Sequence, residues 1–598
     1  MVQINMTCIS DLFSLVCILA IAKAARPRVS TKLGTMHGYT RTGEFNGKHY
    51  AVNEYLGIPY AKPPVGELRF KRPQPFGNLS SPFNATRYGS ACPQSDFLKL
   101  GMRSTTENCL FLNIFVPQTP KDTEQGHAVM VFIHGGGFKM GTGEMTPGHV
   151  LSWFGNVIVL TFNYRIGMFG FLNLGTADAK GNQGLWDQRL ALQWVHDNIE
   201  EFGGDSGRVT IFGEAAGAIS VTMQSMYPAN RGLFQNAIAE SGTICLNFGL
   251  TEDNKFSAKM MSQKLNCNLE TDIDVFKCLL EVSPEHIIAF TDKLINTPSE
   301  AMEIPFVPTV DGEFFRQHPK DTFNESKQQL NEEIKFLREI RFINGVNGME
   351  GAMWLSMAAG NSDSDIDRIE ISDSAMKTLW IPAMLGQEMP GKEIFESVKQ
   401  LVAYEYTDWQ HPKDATEMLV KLTGDVYFNI PALKFSKLHS NSTHAKSWLY
   451  SFEPKLDQHL LKTPRWIQKA NHGDDLAPVF GYALDYEHFA GLKDYSPPQW
   501  EYGLSERIMG YWTNFAKFGD PNGDGPPFWP QYDPETQQNI FIDRQDSIGH
   551  NLYAKEVAFW GEVLPSLMDA IDRRPSFSEE SPFSHKSTET CDADRKCG

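Results

Sequence analysis

The sequence predicts an α/β fold with a large central sheet, mostly parallel in its middle and flanked by helices. Residues 128–133 (AVMVFI) and 157–162 (VIVLTF) are unbroken apolar runs, which is typical of central strands buried on both faces. Residues 209–212 (VTIF) form another short run of β-branched and aromatic residues and predict a third strand. Residues 186–202 have apolar side chains at helical spacing. Strands that alternate with helices in this way favour a doubly wound sheet.

The remaining elements fit the same architecture. Residues 26–117 have the pattern of short strands and turns, and residues 251–298 have a helical pattern. Residues 328–340 and 392–405 predict charged amphipathic helices, each with one solvated face. We find no internal repeat.

The length and the charge restrict the protein class. The chain has 598 residues and shows no internal linker, so residues 25–569 are expected to form one large domain. Residues 570–598 are rich in Ser, Glu, Asp, Lys and Arg and predict a disordered polar tail. A formal net charge of −18 argues against nucleic acid and anionic membranes as partners and favours cationic ligands or basic proteins. The alternative, that the charge only keeps a secreted protein soluble, stays open.

The N-terminus predicts secretion. Residues 12–22 form an apolar run, and the small residues Ala22 and Ala24 suit a cleavage site, so residues 1–24 are expected to be a signal peptide. The run has eleven residues and is too short to span a bilayer. No later segment is long and apolar enough for a transmembrane helix, so we expect no membrane span and an extracellular location.

Residues 213–217 (GEAAG) follow the predicted strand 209–212 and precede a helix that is expected to begin near Ala218. A strand, a sharp turn with flanking glycines and a helix in this order resemble the G-x-S-x-G nucleophile elbow of α/β-hydrolases. The central residue, however, is Ala215, whose methyl group cannot lose a proton or attack a substrate. The sequence therefore predicts an esterase-type site without its nucleophile.

The resemblance extends over almost the whole chain. Eight further blocks occur in the order expected of one family: residues 55–70 (YLGIPYAKPPVGELRF), 107–117 (ENCLFLNIFVP), 131–138 (VFIHGGGF), 163–172 (NYRIGMFGFL), 181–195 (GNQGLWDQRLALQWV), 239–243 (AESGT), 471–481 (NHGDDLAPVFG) and 512–522 (WTNFAKFGDPN). The chain is identified by these blocks as similar to the type-B carboxylesterases, a family that includes the cholinesterases and the non-enzymatic neuroligins. This resemblance implies the α/β-hydrolase fold.

The same resemblance assigns the remaining site residues. Glu350, in the block NGVNGMEG, matches the acid that orients the catalytic imidazole, and His472 matches the general base. Gly136 and Gly137 match two backbone donors of the oxyanion hole, and the third donor is the N–H of Ala216. Backbone donors do not depend on the side chain at position 215, so we expect the oxyanion hole to be retained.

The cysteines and sequons agree with an oxidising, secretory environment. The resemblance implies two loop-closing disulfides, Cys92–Cys109 and Cys267–Cys278. Cys245 is left over and is expected to be a buried, unreactive thiol. Cys591 and Cys597 either close a small ring or bond to another chain, which would give a disulfide-linked oligomer. Four N-x-S/T sequons predict a glycoprotein and begin at Asn78, Asn84, Asn324 and Asn441.

No metal or cofactor site is predicted. Residues 520–525 (DPNGDG) resemble the start of a calcium loop, but Gln531 stands where a bidentate Glu is required, and Pro526 and Pro527 interrupt the loop. We therefore expect a structural turn. A cholinesterase specificity is also disfavoured, because the only aromatic residue between Cys92 and Cys109 is Phe97, where that subfamily has a Trp for quaternary ammonium.

Three interpretations of Ala215 follow. The first is a natural, catalytically inactive protein whose gorge binds a small ester or apolar ligand, or whose surface binds an extracellular protein. The second is a carboxylic ester hydrolase with Ser at position 215 in its native or parent form. The third is an active protein with a substitute nucleophile, for which Ser220 and Ser241 are nearest in sequence. This interpretation is disfavoured, because loss of the nucleophile lowers turnover by about a million-fold. We favour the first interpretation.

Overall fold

The structure is a computed structural model that describes residues 26–573, apart from several short gaps. The gaps comprise residues 46–47, 81, 96–103, 122, 247–248, 253, 268, 294–304, 324–330, 360–364, 390–391, 486–495 and 524. The predicted signal peptide, the sequon at Asn324, Phe97 and both tail cysteines, Cys591 and Cys597, lie outside the described residues.

Among the residues that the structure describes, the strands follow one another without an α-helix up to residue 117, as the pattern of residues 26–117 predicts, and mostly alternate with helices after residue 127. They are β1 Arg28–Thr31, β2 Gly34–His37, β3 Tyr39–Phe45, β4 Lys48–Pro59, β5 Phe83–Asn84, β6 Phe111–Pro117, β7 His127–Ile133, β8 Ile158–Phe162, β9 Asn173–Thr176, β10 Ala179–Lys180, β11 Gly204–Glu214, β12 Asn236–Glu240, β13 Arg341–Asn347, β14 Ser447–Phe452, β15 Gln538–Ile542 and β16 Ser547–His550.

An 11-stranded sheet organises the molecule, in the order β16-β15-β14-β13-β12-β11-β7-β8-β6-β4-β3. The strands from β15 to β8 run parallel to one another, whereas β16 at one edge and β6, β4 and β3 at the other are antiparallel to their neighbours. The prediction of a large α/β sheet that is parallel in its middle is therefore confirmed.

The α-helices cover both faces of this sheet. They are α1 His149–Gly155, α2 Gly167–Phe171, α3 Gln183–Asn198, α4 Ala216–Ser225, α5 Lys255–Lys264, α6 Asp272–Glu281, α7 Pro284–Lys293, α8 Pro319–Thr322, α9 Glu332–Glu339, α10 Met353–Ala358, α11 Asp373–Ala375, α12 Ile381–Glu388, α13 Glu396–Glu405, α14 Thr416–Gly424, α15 Ile430–Ser440, α16 Leu476–Val479, α17 Gln499–Phe518, α18 Ala554–Ala558 and α19 Leu564–Asp572. Within the described residues, none of these helices combines the length and the apolar character that crossing a membrane requires.

Strand β7 shows why its apolar run does not alternate with polar residues. Val129 and Val131 belong to the hydrophobic core on one face of the sheet, and Met130 and Phe132 belong to the core on the other face. Successive side chains of a strand point to opposite faces, so a strand with a core on each side needs apolar residues at every position.

Element boundaries differ from the predicted ones by a few residues. Helix α4 begins at Ala216 rather than near Ala218, because the chain turns into the helix directly at the elbow. Helix α3 begins at Gln183 and continues as a 3₁₀ helix to Phe202, where Gly203 ends it in the left-handed conformation (φ 86°). Helix α19 runs past residue 569, the predicted end of the domain, because Ile571 still packs against the core.

Both implied disulfides are present, with Cα–Cα distances of 4.9 Å for Cys92–Cys109 and 5.6 Å for Cys267–Cys278. Cys245 carries a free thiol that packs at the edge of the core, and burial raises its pKa to about 12. The thiol is therefore un-ionised at neutral pH, which makes it a poor nucleophile, as the sequence predicts.

Candidate active site

The candidate site lies where the order of the parallel strands reverses. From β7 the chain returns to β8 on one side, whereas β11 and the strands after it extend on the other side. Ligands of open α/β sheets bind at the carboxyl ends of the strands at such a reversal. The glycine-rich segment that contains Gly136 follows β7, and the elbow that contains Ala215 follows β11.

The elbow has its strained turn although it lacks a nucleophile. Ala215 adopts φ 53° and ψ −120°, a backbone conformation that residues other than Gly rarely occupy and that costs about 1–3 kcal/mol. Its N–H donates to the carbonyl oxygen of Glu240 (2.9 Å), and its own carbonyl accepts from Ile219 (2.9 Å). A side chain at Gly217 would place a Cβ 2.0 Å from the carbonyl oxygen of Ile133, so only Gly fits there. The central position of this strained turn therefore carries only a methyl group.

Glu350 and His472 lie together, as the resemblance implies. Glu350 follows β13 and is only 1% exposed. Its Oε2 lies 2.7 Å from Nδ1 of His472, whereas its Oε1 accepts from the Ser241 hydroxyl (2.5 Å) and from the backbone N–H of Asn347 (2.6 Å). Three donors thus hold the carboxylate, and the carboxylate in turn sets the orientation and tautomer of the imidazole.

Glu214 is a site residue that the sequence analysis missed. Its Oε1 lies 3.0 Å from Nε2 of His472, the nitrogen that would face a nucleophile. The only sequence sign was its place in GEAAG, directly before the central position. Nothing in the local pattern shows that this side chain contacts a histidine 258 residues further along the chain.

Charge and burial shift the pKa values of this pair. Burial alone would lower the pKa of His472, but the nearby carboxylates Glu214 and Glu350 outweigh it and raise the value to about 9. Burial raises the pKa of the Glu214 carboxyl to about 7, despite the attraction of the imidazolium. At neutral pH the imidazole is therefore mostly a cation, whereas a general base must be neutral.

A second layer of polar residues lies behind Glu350 and His472. The Tyr450 hydroxyl donates to Asp475 (2.7 Å), and the side-chain amide of Asn347 donates to the same carboxyl (3.2 Å). Burial raises the pKa of Asp475 to about 6. Asp475 and Ser241 both belong to blocks that the resemblance used, so their proximity to the site could have been suspected from the motifs.

The predicted oxyanion donors border the elbow. Gly136 has φ 104°, and a Cβ on it would lie 2.3 Å from the carbonyl oxygen of Met140, so the close path of this segment requires Gly. Ala216 opens helix α4, and the N–H groups of a first helical turn have no acceptor within the helix. Gly136, Gly137 and Ala215 are all partly exposed, so a ligand can reach this part of the site.

The structure leaves neither neighbouring serine in a position to replace the nucleophile. The Ser220 hydroxyl is fully buried, donates to the carbonyl oxygen of Ala216 (2.8 Å) and accepts from Gln188 (2.9 Å). The Ser241 hydroxyl is fully buried and donates to Oε1 of Glu350 (2.5 Å), so its proton is already engaged by the carboxylate rather than by the imidazole of His472. A substitute nucleophile is thus disfavoured by geometry as well as by the size of the rate loss.

Other predicted positions can be placed in the structure. Asn78, Asn84 and Asn441 are exposed, so their amides are accessible to a glycosyltransferase. The Asp520 carboxylate accepts from the backbone and side chain of Asn522 in a tight turn. Within the described ranges, no group of three or more His, Cys, Asp and Glu residues is arranged to hold a metal ion.

We expect the His472 imidazole to titrate at about pH 9 in the folded protein, and at a lower pH in Glu214→Gln. The variant removes one of the two carboxylates that stabilise the cation. NMR of protein labelled with ¹⁵N-histidine measures this, with Glu67→Gln, the same change at an exposed position, as the control. A His472 that titrates at the ordinary value of about 6.5 would contradict the ion pair.

The same shift makes stability depend on pH. The pKa of His472 is higher in the folded protein than the value of 6.5 expected in the unfolded chain. Its contribution is therefore complete below about pH 6.5 and is lost as the pH rises through 9. Thermal unfolding between these two pH values should show a smaller decline in Glu214→Gln than in Glu67→Gln.

Comparison with known proteins gives a consistent family. Residues 25–560 match the model of the Carboxylesterase family. Carboxylesterase 5A of Canis lupus familiaris is 34% identical over 569 residues, which cover 92% of each chain. Acetylcholinesterase of Bungarus fasciatus is 32% identical, covering 92% of this chain and 88% of its own. Neuroligin-3 of Mus musculus is 30% identical, covering 92% of this chain and 70% of its own.

Proposed function

The chain belongs to the carboxylesterase family, and on that premise we propose that it is a catalytically inactive member that acts by binding. One observation carries the proposal: the elbow is fully formed, and its central residue, Ala215, presents a methyl group. The family resemblance includes the non-enzymatic neuroligins, and a neuroligin is among the relatives, so loss of catalysis has a parallel in the family.

The proposed ligand occupies the old active site. The donors at Gly136, Gly137 and Ala216 are backbone groups, and they do not need the missing hydroxyl. A small uncharged ester or other apolar ligand can therefore bind there without being cleaved. The second proposed mode is contact with an extracellular protein, for which the net charge of −18 favours a basic surface.

Secretion is part of the proposal. It is supported by the apolar N-terminal run at residues 12–22, by the two disulfides and by the exposed sequons at Asn78, Asn84 and Asn441. Expression of the full chain in a secretory host should yield medium-borne protein whose gel mobility increases after glycosidase treatment. We also propose that Cys591 or Cys597 links copies of the chain, which a comparison of reducing and non-reducing gels tests.

The alternative function is a carboxylic ester hydrolase with Ser at position 215 in the native or parent form. The intact pair of Glu350 and His472 favours this alternative, since a protein long without catalysis has no need of it. The genomic codon for residue 215 distinguishes the two: an alanine codon supports the inactive member, and a serine codon supports the enzyme.

We expect no hydrolysis of short p-nitrophenyl esters by the purified protein, because Ala215 offers no group that can attack the acyl carbon. Loss of the nucleophile alone lowers turnover by about a million-fold. An organophosphate should likewise leave no covalent adduct on the peptide that contains residue 215, which mass spectrometry checks. Steady hydrolysis that His472→Ala abolishes would refute the proposal and reveal a substitute nucleophile.

A further inference from the structure

We propose that the site binds a free monocarboxylate with an apolar chain rather than serving only as a relic that admits esters. One carboxylate oxygen would accept from the backbone N–H groups at Gly136, Gly137 and Ala216. The other oxygen would take the place of the missing nucleophile and accept from Nε2 of His472. This inference rests on the proposed function, because it needs an accessible site that does not turn over its ligand.

Ala215 lacks the side-chain oxygen that a nucleophile would place in this site. During ester hydrolysis at an elbow, the acyl carbon carries one oxygen in the oxyanion hole and becomes bonded to the nucleophile oxygen. A carboxylate has two oxygens on one carbon, so it supplies the second oxygen itself. Ala215 and the glycines at 135–137 are partly exposed, which allows ligand atoms to reach this space. The methyl group thus converts a site for acyl transfer into one shaped for the acid.

The imidazole of His472 supplies the donor for the second carboxylate oxygen. Its Nδ1 is bound to Glu350 at 2.7 Å, so the donor for a ligand is Nε2. Glu214 Oε1 lies 3.0 Å from Nε2, yet in the described part of the chain this buried oxygen makes no hydrogen bond. The contact is therefore an ion pair without hydrogen-bond alignment, and the Nε2 proton remains available to a ligand oxygen.

The charge of the site affects an anionic ligand, because Glu214 and Glu350 already place two carboxylates beside one imidazolium. A further anion would be repelled unless one of the carboxyls were neutral. The other titratable groups around Glu214, His472 and Glu350 are Glu240, Asp474, Asp475, His459 and Tyr164.

Each of the other acids has its own donor: Glu350 has His472 and Ser241, Asp475 has Tyr450, Asp474 has His459, and Glu240 has Trp512. In the part of the chain that the structure describes, Oε1 of Glu214 accepts no hydrogen bond, and burial raises the pKa of this carboxyl to about 7. Glu214 is therefore the group that takes up a proton when an anion enters.

The apolar chain of the ligand needs an apolar surface beside the carboxylate site. The ring of Phe428 lies 4.4 Å from the imidazole of His472, centroid to centroid. Leu460 is 40% exposed, and a Cβ at Gly473 would lie 3.9 Å from its Cδ2 and 3.4 Å from Glu214. The Phe428 ring is only 5% exposed, so the surface that an aliphatic tail can cover is that of Leu460, which favours a medium-chain acid over acetate.

Titration calorimetry on the full-length secreted protein tests the inference with octanoate and with methyl octanoate, its uncharged counterpart. Octanoate should bind about tenfold more tightly at pH 6 than at pH 8. Glu214 takes up at most one proton on binding, so the affinity for octanoate can fall by at most about tenfold for each pH unit above the pKa of Glu214. Buffers of different ionisation enthalpy should show this proton uptake directly. The affinity for methyl octanoate should not change with pH.

Three variants identify the residues. Glu214→Gln should bind octanoate at pH 6 at least as tightly as the parent protein does, and its remaining pH dependence should follow the lowered pKa of His472, whereas Glu67→Gln should behave like the parent. His472→Gln should lose octanoate binding but retain methyl octanoate. Ala215→Ser should weaken octanoate about tenfold, because its hydroxyl fills the space of the second oxygen and displaces one hydrogen bond to a charged group.

The outcomes separate this inference from the function on which it rests. Binding of methyl octanoate without octanoate at any pH would overturn the carboxylate site and leave the inactive binding protein intact. Octanoate binding that is unchanged by both Glu214→Gln and His472→Gln would also overturn it, since the acid would then adsorb elsewhere. Hydrolysis of methyl octanoate by the parent protein would instead overturn the proposed function.

Discussion

Ala215→Ser is expected to convert the protein into an esterase, with hydrolysis of p-nitrophenyl acetate about a thousandfold or more above the parent. The substitution adds one oxygen to a turn that already has the required strained backbone, φ 53° and ψ −120°. His472 can take the hydroxyl proton as the oxygen attacks, and Glu350, 2.7 Å from Nδ1, stabilises the resulting imidazolium. The gain should fall short of the full million-fold, because Glu214 competes for Nε2.

The pH profile of this variant provides an internal check. Only the neutral imidazole accepts a proton, and the pKa of His472 is raised to about 9, so the rate should rise as the pH increases towards 9. In Ala215→Ser combined with Glu214→Gln, the profile should shift to lower pH. A folded Ala215→Ser protein that is inactive from pH 6 to pH 10 would contradict this prediction. The binding function would then stand without any role for the old catalytic residues.

Glu350→Gln in the Ala215→Ser background should remove about a thousandfold or more of the restored turnover. The carboxylate of Glu350 is 1% exposed and accepts from His472, Ser241 and the backbone of Asn347. A Gln amide has nearly the same shape, but its NH₂ group cannot accept a hydrogen bond from Nδ1–H of His472. The NH₂ group therefore favours the tautomer without a proton on Nδ1, and it cannot stabilise the imidazolium. The loss should appear in kcat, with KM little changed.

Two controls show whether a loss of activity comes from misfolding: thermal unfolding of each variant, and a matched substitution away from the site. Glu67→Gln, the same chemical change at an exposed position, should leave the rate of the Ala215→Ser protein unaltered. If the doubly substituted Glu350→Gln protein were folded and still retained most of the restored activity, the base would be oriented by some other group. The assignment of Glu350 would then be wrong.

Much of the fold followed from local pattern. The apolar runs at 128–133 and 157–162 correspond to β7 and β8, because a strand with a core on each face needs an apolar residue at every position. Boundaries were less well determined: helix α4 starts at Ala216, since the transition from turn to helix depends on how Gly217 passes the backbone of Ile133.

The sequence by itself determined that the elbow has no nucleophile, and its motifs pointed to Glu350, His472 and the glycine donors. It could not show that Glu214 reaches Nε2 of His472, because that contact joins the end of β11 to a loop far along the chain. The raised pKa values also belong to the tertiary structure alone. Burial removes water from charged groups, and folding determines which carboxylates lie beside an imidazole. Neither effect can be read from the residues that flank a titratable group in the sequence.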